Sequence, residues 1–135
     1  MSNLLEQLIK ADAKKADELE KTTFKSKKLA KILESVEPVE ITLQEISPKR
    51  QNEIVGMAID KKGNYDFTKS YDANALLCVE GIIEPDVKNS DLAEHFNCRT
   101  PKELVIKLFG NEVNEISAVL ANINKVENVE TEIKN

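Results

Sequence analysis

LLCVEGIIEPDVKNSDL, residues 76–92, sets the architecture. Ala75, Leu76, Cys78, Val79, Ile82 and Ile83 recur at helical spacing and cover about half of a helix circumference, as a central element packed on more than one side requires. Leu77 falls outside that stripe. The helix has to end by Glu84, because the residue before Pro85 is pushed towards extended backbone. Asp86–Asn89 then makes a turn, and Asn89 or Ser90 can cap a short helix over 91–96.

Towards the C-terminus the helical signals continue. In TPKELVIKLFG, residues 100–110, Thr100 is a cap, Pro101 takes the first helical position and Glu103 the third. Leu104, Val105, Leu108 and Phe109 share one face, and Gly110 is the stop. Asn111 can cap a last helix, whose Val113, Ile116, Val119, Leu120 and Ile123 form a narrow stripe. After Asn124 the segment KVENVETEIKN loses its amphipathic pattern. The expectation is one domain over residues 1–124 and a flexible tail over 125–135.

Towards the N-terminus the period changes. From Val39 the chain alternates, with Val39, Ile41 and Leu43 on one side and Glu40, Thr42 and Gln44 on the other, a half-buried strand entered through Pro38. Its partner is either Lys21–Phe24 or Asn64–Phe67. Ser47 and Pro48 open a helix with Ile54, Val55, Ala58 and Ile59 on one face, and KKGN at 61–64 turns around Gly63. NYDFTKSY, residues 64–71, reads as a short strand leading into the central helix, whose period returns from about Asp72. Residues 2–20 carry Leu4, Leu5, Leu8, Ile9, Ala16 and Leu19 on one side of an amphipathic helix. KTTFKSKKLAK, residues 21–31, holds five lysines and no acid, and reads as a solvated connector. The fold class is α+β: a mostly helical single domain with a small β-sheet in its N-terminal half.

The totals narrow the function. The 135 residues include no Trp, four Phe and two Tyr, so the core is built from Leu, Ile, Val and Ala. A net charge of −5 opposes general nucleic-acid affinity, which depends on a surplus of cations to release counterions. No apolar run approaches the ~20 residues of a membrane span. The opening MSNLLEQLIKADAKK lacks the order of a signal peptide, so a cytoplasmic protein without membrane or nucleic-acid partners is expected. Cys78 and Cys98 read as reduced thiols. His95 and Cys98 would make half of a metal site at most, since zinc needs three or four ligands. The four glycines are too dispersed for a phosphate loop, and Glu80 and Glu84 read as a pair of surface acids. No catalytic residue, cofactor or metal is expected, and the remaining chemistry is binding through apolar surface. The competing reading is a small regulatory or nucleic-acid-binding protein that uses the Lys21–Lys31 cluster.

Five segments together resemble a known family. They are LLEQLIKAD, ITLQEISPKRQNEI, ALLCVEGIIEPDVKNSDLAEHF, TPKELVIKLF and GNEVNEISAVLANI, spanning about residues 3–124. The sharpest likeness is a helix ending at Glu84, Pro85 and Asp86, then a short helix, then a helix start at Thr100, Pro101, Glu103 and Leu104, then a closing helix through Glu115–Leu120. This order is similar to the tail assembly chaperones of Gram-positive contractile-tailed phages, defective prophages and phage-tail-like bacteriocins. The resemblance implies a non-enzymatic chaperone in the bacterial host cytoplasm. It implies binding to the tape measure protein and recruitment of tail tube subunits during assembly, with absence from the mature tail. It leaves self-association open, and also a frameshifted longer form. Candidate partner-binding residues are Leu4, Leu8, Ile116, Leu120 and Ile123, on the apolar edges of the first and last helices.

Overall fold

A computed structural model describes residues 3–134, with side chains through Ile123. Helix α1 covers Leu4–Lys10 and is followed by a 3-10 turn at Ala13–Asp17. Strand β1 (Lys21–Ser26), helix α2 (Lys27–Leu33), strand β2 (Val39–Gln44) and helix α3 (Pro48–Gly56) come next. Helix α4 (Phe67–Gly81) runs directly into strand β3 (Ile82–Glu84). Helices α5 (Ser90–His95), α6 (Pro101–Phe109) and α7 (Glu112–Lys134) complete the chain. The domain is mostly helical, with a three-stranded antiparallel sheet drawn mainly from its N-terminal half.

Helix α4 is the hub and packs against α3, α6 and α7. Packing on several sides explains why Leu77, outside the expected stripe, is buried along with Ala73, Ala75, Cys78 and Val79. The helix begins earlier than its apolar period indicates. Asp66 starts it by accepting from the Thr68 N–H at 2.9 Å and the Thr68 hydroxyl at 2.6 Å, which lowers the Asp66 pKa. Helix therefore replaces most of the strand expected at 64–71, and only the isolated bridge Ile59↔Tyr65 is left. At the other end the helix stops at Gly81 rather than Glu84. Ile82 and Ile83 leave the helical stripe and join the sheet, where Ile82 pairs with Leu43, and Pro85 favours extended backbone at Glu84. Gly81 also has to be small. A Cβ there would land on the Leu120 side chain of α7.

The strand order is β1-β2-β3. Of the two candidate partners for β2, the first is the one used, in the register Lys21↔Gln44 to Ser26↔Val39. Strand β3 pairs beside it through Thr42↔Glu84 and Leu43↔Ile82, with a shift between Thr42 and Leu43. The alternation of β2 emerges as expected, with Ile41 and Leu43 enclosed in the core. Leu104, Val105, Leu108 and Phe109 of α6 and Val113, Ile116 and Leu120 of α7 face the same core. Thr100 caps α6 by accepting from the Glu103 N–H at 3.1 Å, and Glu103 reaches back to the Arg99 N–H at 2.7 Å. Gly110 closes α6 at φ 54, a conformation that favours glycine.

Residues 21–31 are structured and do not form a connector. The Ser26 side chain, fully enclosed, caps α2 by accepting from the Leu29 N–H at 3.0 Å. Its hydroxyl donates to the Glu112 carboxylate at 2.6 Å, and that carboxylate also accepts the Lys27 N–H at 2.9 Å. A residue at the start of α7 thus completes the N-terminus of α2. Periodicity hid this, because the buried position of β1 is a serine and the recognition is polar. The N-terminal segment departs in the opposite direction. The Asp12 side chain accepts from the Lys14 N–H at 3.0 Å and starts a separate turn, so the helix expected over 2–20 ends at Lys10. The flexible tail expected over 125–135 lies outside the described side chains.

Candidate interaction surfaces

The five residues singled out from the sequence fall into two environments. Leu4 and Leu8 lie on α1, and Leu5 and Ile9 lie beside them. All four are between 64% and 73% exposed, and α1 buries no residue. Asn3 caps this helix by accepting from the Glu6 N–H at 2.8 Å, so the apolar surface belongs to an ordered element. Ile116 and Leu120 on α7 are core residues in this conformation, whereas Ile123 is half-buried and packs on the edge of the core.

A second apolar surface was not singled out from the sequence. It is a groove of about 240 Å³ between α2 and α5, floored by the start of β2. Leu29, Ile32 and Leu33 form one wall, Leu92 and Phe96 the opposite wall, and Val39, Ile41, Pro85 and Leu108 the base. Its charged lining residues are Glu40 and Glu84. Next to it, Val36 is completely exposed in the connection between α2 and β2. Of the groove's apolar lining, Ile32 and Leu33 are exposed, and the rest is buried or half-buried. No local motif announces the groove, since its walls are separated by dozens of residues and meet only on folding.

The sites considered for chemistry disperse. The lysines at 21–31 split between a strand and a helix. Glu80 accepts two bonds from the Arg50 guanidinium, at 3.1 Å and 3.2 Å, and meets Lys88 at 4.0 Å. Glu84 sits on β3, so the two acids expected as a helical pair have separate surroundings. Cys78 is enclosed, which pushes its thiol pKa up to about 12. His95 is exposed, with its ring edge-on to Phe96. Among the described residues no group of three or more His, Cys, Asp or Glu side chains could hold a metal ion, and no helix is long and apolar enough to cross a membrane.

The model of one protein family matches the chain over residues 5–135, and its description reads phage XkdN-like tail assembly chaperone protein. No curated protein and no solved structure matches.

Proposed function

Since the chain belongs to the phage XkdN-like tail assembly chaperone family, we propose that it binds the tape measure protein and helps bring tail tube subunits to it during assembly. The family is not an enzyme class, and its work lies among other phage tail proteins. In this reading the chain acts in the host cytoplasm, covers apolar helical surface of the tape measure protein until the tube grows along it, and is not retained in the mature tail. The observation that carries the proposal beyond the family is the ordered helix α1, with four large apolar side chains in solvent. A long helical client with exposed stripes aggregates alone, and a chaperone that offers its own apolar helix face can cover such a stripe. The scarcity of aromatic residues suits release, because tight interfaces concentrate their energy in Trp, Tyr and Arg anchors.

Co-expression with the tape measure protein tests this. The expected result is a client that is soluble only with this chain and that co-elutes with it in gel filtration. Leu4→Asp with Leu8→Asp is expected to reduce the co-eluting fraction. A client soluble by itself that never co-elutes would overturn the proposal.

A further inference from the structure

We infer that the free edge of β1 is a docking site for an extended acidic segment of a partner protein, one in which glutamates or aspartates alternate with apolar residues. This edge is distinct from α1 and from the groove, so the inference goes beyond the chaperone reading and holds for any partner that offers such a segment.

The backbone makes the edge available. Strand β1 is the outermost strand of the sheet, with β2 on one side only. The Glu45 N–H donates to the Glu20 carbonyl, and bonded and non-bonded pairs alternate along an antiparallel ladder from there. Thr22, Phe24 and Ser26 therefore face β2 with their N–H and C=O groups. Those of Lys21, Thr23 and Lys25 point outwards, and none of them has a partner among the described residues. The same phase turns Thr42 towards β3, where it pairs with Glu84. Lys21, Thr23 and Lys25 are all exposed. The row ends at Ser26, beyond which the Lys27 N–H is taken by the Glu112 carboxylate. A row of unpaired groups of this length is a template for one more strand.

The side chains select which strand. Residues opposite one another in a ladder stand on the same face of the sheet. Lys21, Thr23 and Lys25 stand on the outer face, whereas Phe24 packs on the core and Thr22 stands on its side. Neither lysine has an ion-pair partner among the described residues. Glu40 lies across from Lys25 on β2. A strand added at the free edge would lie roughly 5 Å from β1 and about twice as far from β2, so the lysines are the nearer charges. Acids four residues apart would meet Lys21 and Lys25, and apolar residues between them would continue the core face past Phe24.

The same lysines disfavour a second copy of the chain as the occupant. Antiparallel pairing of two β1 edges about Thr23 sets Lys21 against Lys25 at both ends, and like charges directly opposite one another destabilise a ladder. Lysine on this edge opposes self-pairing and leaves the edge open to a strand of the opposite charge.

The probe is a labelled synthetic peptide of about eight residues, within the range of ordinary strands, with two glutamates four positions apart and valines at the alternate positions. A twin carries lysine in place of glutamate. Binding to the full chain is followed by fluorescence anisotropy. The glutamate peptide is expected to bind at least about fivefold tighter than its twin at low salt, and to lose most of that margin near ~0.5 M salt. N-methylation of the glutamate amides, which face β1 in this register, should abolish binding, whereas N-methylation of the valine amides should leave it intact. Thr23→Pro takes one donor from the free edge and none from the β1–β2 ladder, so it should weaken binding about tenfold while urea unfolding stays cooperative. Lys21→Gln with Lys25→Gln, both at exposed positions, should erase the preference for glutamate. Equal binding of the twins, indifference to the position of N-methylation, or a double glutamine variant that keeps the preference would each overturn the inference. A short oligothymidine that binds as tightly as the glutamate peptide would overturn it too, because the lysines would then attract anions without strand pairing. Deletion of residues 3–10 should leave peptide binding unchanged, so this edge and the α1 surface are tested separately.

Discussion

At the residue scale, two side-chain arrangements hold distant parts of the chain together. Ser26, which is enclosed, caps α2 and donates to the half-buried Glu112. Ser26→Ala removes the cap and leaves a carboxylate oxygen short of a donor, so a loss of about 1–3 kcal/mol is expected in urea unfolding. Glu112→Gln should cost less, because an amide oxygen can still accept the Lys27 N–H. Gly81→Ala should cost about 1–3 kcal/mol through its collision with Leu120. In a double-mutant cycle the alanine at 81 should be less costly when Leu120 is also alanine, which identifies the collision as the cause. Cys78 predicts a pH dependence. Its folded pKa is raised by burial to about 12 from an ordinary value of 9.0. Below the ordinary value the folded and unfolded states hold the same proton. Between that value and about 12 only the unfolded chain loses it, so stability falls across this window as pH rises. Thiol titration in native buffer should show Cys98, which is partly exposed, reacting fast and Cys78 only on unfolding.

At the scale of elements, what could be read from the sequence depended on whether apolar residues carried the signal. The β2 alternation, the Ser47–Pro48 start, the Thr100 capping box and the α6 face are all made by local spacing, and all are found where spacing puts them. The start of α4 was not legible, because FTKSYD has little apolar period and the helix there depends on the Asp66 cap. Strand β3 was hidden because two isoleucines after a helix extend its stripe equally well until the sheet claims them. The candidate residues divided for the same reason. A stripe on α7 looks the same in sequence whether a core or a partner covers it, so Ile116 and Leu120 could not be told apart from Leu4 and Leu8. Helix α1 makes the prediction for this scale. It buries no side chain, so deletion of residues 3–10 should change unfolding free energy by less than about 0.5 kcal/mol, while capture of the tape measure protein falls. Loss of stability by several kcal/mol would mean that α1 is part of the fold.

At the scale of the whole molecule, one continuous core runs from the sheet through α4 to α6 and α7. Thermal unfolding should therefore be a single cooperative transition, with calorimetric and van't Hoff enthalpies that agree. A separate early transition would mean that the sheet and the helical half melt independently. The two apolar surfaces differ in how they meet water. Helix α1 stands outside the core, whereas the groove is held between elements that belong to it. The Ser26–Glu112 contact also has a consequence for the timing of synthesis. It joins positions 86 residues apart, so α2 is translated long before the carboxylate that secures its first turn. At roughly 5–20 residues per second, the ribosome needs about 4–17 s to cover that distance. During that interval the wall of the groove formed by α2 lacks its anchor on a nascent chain. A newly made copy would therefore present α1 first, and the groove only once Glu112 has been made.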